Sequence, residues 1–349
     1  MRILKDPLPD GSLRIRIETL DDLWYLHQLL DEGTIVGSHT FRKPESRDDM
    51  IRSDSQPRIR IYLKISMEES DFQPFTDALR IKGEIIEGPP DISGHHTINA
   101  NIGSVLDIKK EKMTETDSKV LEEACKASGY TGVLAVSMDD ETAEVYRFRD
   151  YGVERIAEIK AGQGGKMFGN DDKWPDYDER ISEVLEREIG EDTLLLISGP
   201  GFFKEELAKY LREKGVIPSE RTHLLNSSSG GLSGLKESLA SDKGMVSAVS
   251  DIRFVRENQV MDELMVRIGR GSGATYGLRE VKRALEMGAV ETLLLTDTLF
   301  KDPEGKELME STAKVSSSSM VISTSHEMGE MLEKLGGAGA LLRFDIGSV

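Results

Sequence analysis

The sequence predicts an α+β protein of several domains: a β-rich barrel, a central α/β domain and a C-terminal α/β/α sandwich. Three observations support this class. The 349 residues are enough for two or three domains that each bury a core. Alternating hydrophobicity dominates the first third of the chain. From Gly132 onward, strand patterns alternate with helical ones.

The first domain is predicted from two segments in which apolar and polar residues alternate. Residues 14–17 and 58–65 have a period of two, which is typical of strands with one buried face, and their polar face carries arginine. Between them, residues 21–30 are predicted as an amphipathic helix that Asp21 caps. A further helix precedes a strand that begins near residue 131, so we expect the barrel domain to cover residues 1–128.

The central and C-terminal domains are predicted from apolar strands that alternate with helices. Continuous apolar runs such as 193–197 are typical of strands buried on both faces. A long helical pattern over 246–267 ends in a glycine-rich segment, which separates a central domain at 129–269 from a C-terminal domain at 270–349. The last domain repeats the helix and strand alternation on a smaller scale, as an α/β/α sandwich requires.

Composition limits what the protein can bind. With 63 acidic and 45 basic residues the net charge is −18, so any contact with nucleic acid must be made by a local basic patch. Cys125 is the only cysteine, which excludes an intramolecular disulfide and favours a reducing compartment. No segment has the apolar length of a secretion signal or a membrane helix. We therefore expect a cytoplasmic protein without membrane contact.

The largest local excess of positive charge lies in residues 38–64, which contain seven basic and four acidic residues. Such an excess favours phosphate contacts, because basic side chains can then displace condensed counterions. The candidate RNA-binding residues are Arg42, Lys43, Arg47, Arg52, Arg58 and Arg60. The alternative is a solvated strand face with a charged hairpin loop. No aromatic residue lies between Lys43 and Ile61, so base stacking has little support there.

No sequence pattern predicts a catalytic centre. The glycine-rich residues 161–166 lack the spacing of a phosphate-binding loop. The serines at 227–229 lack the nucleophile elbow and suit turns or helix caps. His95 and His96 are adjacent on a predicted strand and point to opposite faces, which favours structural histidines over a metal pair. We therefore name no catalytic residue, and the sequence leaves a metal site open.

Several short segments together form a specific set. They are DDLWYL (21–26), TFRK (40–43), GHHT (94–97), SGPGF (198–202), NSSSG (226–230), YG (276–277) and EMGAVETLL (286–294). Over essentially the whole chain, this set resembles the archaeal Pelota family, which is related to eukaryotic Dom34 and paralogous to class I translation release factors.

The resemblance implies a three-domain factor for mRNA surveillance and ribosome rescue. It implies an Sm-like β-barrel in the decoding site, a central domain like that of release factors, and a C-terminal sandwich of the ribosomal-protein L7Ae-like type. The implied partners are the stalled ribosome with its rRNA and mRNA, an elongation-factor-1-alpha-like GTPase and a subunit-splitting ATPase of the ABC class. The implied partner-binding residues are Pro200, Gly201, Phe202, Tyr276 and Glu330.

One departure from release factors bears on catalysis. Release factors carry Gly-Gly-Gln, whose glutamine positions a water molecule against the peptidyl ester, whereas this chain has Gly162-Gln163-Gly164-Gly165 at the corresponding loop. We therefore expect no peptide release and no intrinsic catalysis. The alternative is an endoribonuclease that cleaves stalled mRNA, and a divalent metal cation is the one cofactor that it would need.

Overall fold

The computed structural model describes residues 1–5, 12–42, 59–73, 76–90, 92–127, 132–161, 174–241, 253–315 and 317–346. The chain forms two compact units, Met1–Tyr130 with Phe300–Glu310 and Thr131–Leu299 with Ser311–Val349. Both units mix helices with sheets, which confirms the predicted α+β class.

In its described residues, the N-terminal part of the first unit forms one antiparallel sheet and two helices. The strands are β1 (Arg2–Lys5), β2 (Leu13–Arg16), β3 (Ile35–Arg42), β4 (Ile59–Gln73), β5 (Ala78–Glu87), β6 (His95–Ala100) and β7 (Val105–Lys109). The helices are α1 (Leu20–Leu29) and α2 (Glu115–Ala127). Across the described strands, the order is β1-β2-β7-β3-β4-β5-β6.

Alternation places the apolar side chains of this sheet on one face. Ile15, Leu63 and Ile81 are completely buried, as is Leu23 of α1, while neighbouring arginines point outward. The sheet curls so that β3 approaches β6, and the Thr40 hydroxyl lies 3.1 Å from His96 Nε2. The alternating pattern therefore builds a curved sheet of barrel type, as predicted.

The prediction that Asp21 caps α1 is wrong. Thr19 is the N-cap: its hydroxyl accepts a hydrogen bond from the Asp22 amide, and the Asp22 carboxylate accepts one from the Thr19 amide. Thr19 has the extended backbone that a capping residue needs, whereas Asp21 already lies in the first helical turn. Asp21 and Asp22 nevertheless suit the positive end of the helix dipole.

A five-stranded sheet forms the first part of the second unit. Its strands are β8 (Val133–Met138), β9 (Thr142–Arg149), β10 (Gly152–Lys160), β11 (Leu194–Gly199) and β12 (Thr222–Asn226), in the order β10-β9-β8-β11-β12. The described helices around it are α3 (Trp174–Glu188), α4 (Phe203–Lys214) and α5 (Gly231–Ser241). Strands β8, β11 and β12 are parallel, and apolar clusters cover both faces, as the continuous apolar runs predict.

A four-stranded sheet forms the last part of the chain. Its strands are β13 (Ala274–Tyr276), β14 (Val290–Thr296), β15 (Ser318–Ile322) and β16 (Ala338–Leu342), in the order β13-β16-β14-β15. The remaining described helices are α6 (Arg253–Arg270), α7 (Leu278–Glu286), α8 (Asp297–Lys301), α9 (Pro303–Lys314) and α10 (Glu327–Lys334). The predicted helix over 246–267 is thus observed from Arg253 onward, and residues 246–252 lie outside the described residues.

Candidate nucleic-acid and partner-binding sites

Most of the predicted RNA-binding residues lie outside the described part of the chain. The residues outside it are Lys43, Arg47, Arg52 and Arg58. For Arg42 the structure describes only the backbone, which pairs with that of Ile59 at the end of β3. Arg60 is described in full and is exposed on β4. The basic segment therefore connects β3 to β4, and its contact with RNA stays a prediction.

The outer side of the β3–β4 pair combines Arg60 with three aromatic rings. Phe41 lies directly opposite Arg60, and His39 lies directly opposite Tyr62. Residues opposite each other in an antiparallel pair share a face, and every second residue of a strand returns to it. His39, Phe41, Arg60 and Tyr62 therefore form one surface, here called the aromatic face. Phe41 is 62% exposed.

Local contacts fix the Tyr62 ring on this surface. Its hydroxyl donates a 2.6 Å hydrogen bond to Asp107 Oδ2, and its ring makes a T-shaped contact with the His39 ring at 5.2 Å between centroids. A Cβ atom on Gly37 would overlap the hydroxyl and lie 3.1 Å from Tyr62 Cζ, so only glycine leaves room for the ring above β3. Burial, followed by the hydrogen bond to Asp107, raises the pKa of Tyr62, so the hydroxyl stays a donor to a higher pH than an ordinary tyrosine would.

The cations around the aromatic face fall into two groups. Arg14 donates two hydrogen bonds to Asp107, at 2.6 and 2.7 Å, and Lys64 lies 3.0 Å from Glu87. Arg16 and Arg60 are exposed and form no ion pair with another described residue. Arg14 and Lys64 therefore stabilise the sheet surface through their ion pairs, while Arg16 and Arg60 are available to an anionic ligand.

The aromatic face was not predicted, because its rings lie just outside the interval between Lys43 and Ile61 in which the basic residues cluster. The alternation of His39 with Phe41, and of Arg60 with Tyr62, was the available signal. Which residues of β3 face which residues of β4 depends on the register of the pair, and the sequence does not state it.

The two adjacent histidines have separate partners, as predicted for structural residues. His95 Nε2 lies 2.9 Å from Glu68 Oε1, whereas His96 Nε2 lies beside the Thr40 hydroxyl. Among the described residues, no group of three or more histidine, cysteine, aspartate or glutamate side chains is arranged to hold a metal ion.

In the second unit, Pro200, Gly201 and Phe202 form the turn between β11 and α4. Gly201 has a φ angle of +65°, which glycine adopts without strain, and Phe202 is 63% exposed. The Lys204 side chain is buried, at 4% exposure, and its Nζ donates to the carbonyl oxygens of Gly199 at 3.1 Å and Gly201 at 2.5 Å. Lys204 thus stabilises the turn by hydrogen bonds from its buried amino group to the backbone.

The other two predicted partner-binding residues lie around the four-stranded sheet. Tyr276 is 46% exposed at the end of the edge strand β13, where it pairs with Gly339. Glu330 lies in the first turn of α10, exposed and 3.8 Å from Lys334. Phe202, Tyr276 and Glu330 are therefore accessible residues on three different elements, and no hydrogen bond, ion pair or ring contact links them in the described structure.

Residues 162–165, which are predicted to correspond to the Gly-Gly-Gln loop of release factors, lie outside the described residues. In the described segments, no helix is both long and apolar enough to cross a membrane.

Two parts of the chain match models of known protein families. Residues 1–125 match the family model of the Pelota N-terminal domain, and residues 254–346 match that of eRF1 domain 3. The pelota homolog of Thermococcus gammatolerans is 34% identical over 99% of this chain and 100% of its own length.

Solved structures show the same fold. The Pelota protein of Thermoplasma acidophilum has a TM-score of 0.80 at 25% identity, covering 99% of this chain and 100% of that one. Dom34 of S. cerevisiae, a translation termination-like factor involved in RNA quality control pathways and interacting with Hbs1, has a TM-score of 0.54 at 20% identity, covering 100% and 99%.

The barrel, the central α/β domain and the domain of eRF1 type define a class of factors related to translation termination. Within that class, full-length similarity to curated pelota homologs decides the family. The chain belongs to the Pelota family.

Proposed function

We propose that this protein recognises stalled ribosomes in mRNA surveillance and, with an elongation-factor-1-alpha-like GTPase, promotes separation of the ribosomal subunits in no-go and non-stop decay. The observation that carries the proposal is the presence of a Pelota N-terminal domain and a domain of eRF1 type in one chain. Such a chain can place an RNA-binding domain and a partner-binding domain on the same ribosome.

The first domain is proposed to contact ribosomal RNA and mRNA. Support comes from the local excess of basic residues within a chain of net charge −18. Because the rest of the molecule repels RNA, this segment is where phosphate contact costs least. Arg42, Lys43, Arg47, Arg52, Arg58 and Arg60 are the proposed contact residues.

The GTPase is proposed to bind Pro200, Gly201, Phe202, Tyr276 and Glu330. An exposed aromatic residue can bury apolar area when a partner binds, and the loss of conformational entropy is small because the turn is already held in place. An exposed glutamate can pair with a basic residue of the partner. The interaction of yeast Dom34 with Hbs1 supports a protein partner of this kind. A subunit-splitting ATPase of the ABC class is the third proposed partner.

A subunit-splitting assay tests the proposal. Ribosomes stalled on a truncated mRNA are incubated with the cognate GTPase and ATPase, and subunit separation is followed by light scattering with and without this protein. We expect separation to accelerate in its presence and to slow with Phe202→Ala. Equal rates with and without the protein would contradict the proposal.

Charge reversal tests the RNA contact separately. Replacing Arg42, Lys43, Arg58 and Arg60 by glutamate should weaken binding to stalled ribosomes and reduce its salt dependence, because phosphate contacts release counterions. Arg80→Glu is the matched control for Arg60→Glu alone, since Arg80 is an exposed arginine on β5 outside the basic segment. Unchanged affinity and salt dependence in the fourfold variant would refute a decoding-site contact through these residues.

The alternative function is that of an endoribonuclease, which would need metal ligands that converge on one ion. The described part of the chain has no such set. Incubating structured RNA with the protein, in Mg²⁺ or in chelator, tests it directly. Cleavage that co-elutes with the protein in chromatography and requires the metal would show that the protein is an enzyme rather than a non-catalytic binding factor.

A further inference from the structure

We infer that the aromatic face of the first domain is a stacking platform for unpaired bases of single-stranded RNA, with Arg60 and Arg16 contacting the sugar-phosphate backbone. This inference rests on the proposed RNA contact of the first domain. It adds a recognition mode that the basic residues alone do not provide.

The first argument is the exposure of the rings. A folded domain ordinarily buries its phenylalanine side chains, yet Phe41 stands 62% exposed on the outer side of the sheet. It lies two residues along the strand from His39, which is exposed as well. Rings at successive outward positions of one strand are about 7 Å apart, and a base can stack on each of them.

The second argument is that one ring of the set is already fixed before any ligand binds. Asp107 holds Tyr62 at its hydroxyl, and the His39 ring packs against it in a T-shaped contact. The missing Cβ of Gly37 leaves room for the ring in this position. Fixing a ring in advance lowers the entropic cost of binding. Asp107 is in turn held by two nitrogens of the Arg14 guanidinium, so the charged pair supports the platform from beside it.

The third argument is charge complementarity. Arg60 stands directly opposite Phe41, and Arg16 pairs with Val105 on β7, which also borders β3. Neither arginine is neutralised by a carboxylate of the described residues. A guanidinium beside an exposed ring suits a nucleotide, whose base stacks while its phosphate is paired. An apolar peptide would leave both cations without a partner.

The fourth argument is the chemistry of the base. An aromatic face can receive a base only when that base is free of its own duplex stack. The platform therefore selects single-stranded RNA over double-stranded RNA and accepts any sequence. A stalled ribosome that lacks codon–anticodon pairing in its decoding site would present such bases.

Fluorescence anisotropy on the full chain tests the inference. The probes are a labelled single-stranded 12-nucleotide RNA and a duplex of the same length. Phe41→Leu keeps an apolar side chain but removes the ring, and we expect it to weaken single-strand binding about tenfold with an unchanged salt slope. Phe344→Leu is the control, because Phe344 is 51% exposed in the second unit.

A spectroscopic readout separates stacking from a general loss of binding. An RNA carrying 2-aminopurine should lose fluorescence when the natural protein binds, because stacking quenches this base. Phe41→Leu at saturating concentration should restore part of that fluorescence. Thermal unfolding of the variant should match the natural protein, since the side chain is exposed.

The outcomes distinguish this inference from the function on which it rests. If Arg60→Glu weakens RNA binding while Phe41→Leu and His39→Ala do not, the face makes only phosphate contacts and the stacking inference is wrong. The inference is also wrong if Phe41→Leu weakens duplex and single-strand binding equally, or weakens small-subunit binding while RNA affinity stays intact. If all the arginine variants bind RNA normally, the proposed RNA contact itself fails.

Discussion

Asp178 is a carboxyl group that the fold makes harder to ionise. It lies buried on α3, and burial, followed by the negative charge of Glu206, raises its pKa to about 6. The ionised carboxylate is therefore less favourable in the folded chain than in the unfolded one. The protonated carboxyl group, by contrast, favours the folded state, and this contribution to stability is fully present below about pH 4 and is lost as the pH rises through about 6.

Replacing Asp178 by asparagine should therefore stabilise the protein in a pH-dependent way. We expect the free energy of unfolding to rise by about 1–2 kcal/mol at pH 8, less than the full pKa shift corresponds to because the carboxyl group keeps some contact with water. At pH 4 the change should be small. Urea unfolding at both pH values measures it, with Asp192→Asn as an exposed control. A gain of equal size at pH 4 and pH 8 would contradict the assignment.

The turn before α4 shows how an element can depend on one buried side chain. Lys204 carries a positive charge at the helix N-terminus, where the helix dipole opposes it. The carbonyl oxygens of Gly199 and Gly201 offset this cost, and in return the amino group holds the turn closed. The turn presents Phe202, so Lys204 is a positioning residue for the proposed GTPase contact.

Lys204→Met should loosen this turn. We expect faster amide hydrogen exchange at Gly201 and Phe202, together with GTPase binding weakened about five- to tenfold, because the partner must then order the turn at binding. Lys204→Arg should recover part of the affinity by donating to the same carbonyl groups. Lys209→Met, an exposed lysine on the same helix, is the control. Unchanged exchange at the turn would show that the lysine does not hold it.

Helix α6 contributes to two hydrophobic cores within the second unit. Phe254 and Val255 pack in the core of the five-stranded sheet, while Met261 and Leu264 pack in that of the four-stranded sheet. Between them, the completely buried Glu257 accepts hydrogen bonds from Arg253 at 2.8 Å and His326 at 2.6 Å. This network joins α6 to the start of α10.

Glu257→Ala should cost about 3 kcal/mol of stability, because it leaves the buried Arg253 without its carboxylate. Calorimetry should show a lower unfolding temperature for the second unit. Glu263→Ala on the same helix removes an exposed ion pair with Arg267 and should change stability by less than about 1 kcal/mol. Similar losses in both variants would argue against a special role for the buried network.

The elements differ in how far the sequence could predict them. Strands such as β8 and β11 were predictable because both faces are buried and the apolar run is continuous. Strand β12 was not, since it is an edge strand with mixed burial. The aromatic face and the Tyr62–Asp107 bond depend on strand register and on residues 45 positions apart. Local periodicity in the sequence predicts neither the strand register nor a contact between residues so far apart.

At the scale of the whole molecule, the two proposed binding activities belong to separate compact units. Arg60 lies in the first unit, and Phe202, Tyr276 and Glu330 lie in the second. Mutations at independent sites usually have additive effects on the free energy of binding. If the two sites are independent, we expect each to bind its partner without the other, and assembly on the ribosome to depend on their combined affinity.

This independence predicts that the two functions can be separated by mutation. Arg60→Glu should weaken ribosome pelleting and leave GTPase affinity in calorimetric titration unchanged, while Phe202→Ala should do the reverse. In the subunit-splitting assay both variants should be slow, but raising the GTPase concentration should rescue only Phe202→Ala, because mass action restores a weakened partner contact and not a lost RNA contact. Rescue of Arg60→Glu by the GTPase alone, or a loss of GTPase affinity in that variant, would show that the two ends are coupled.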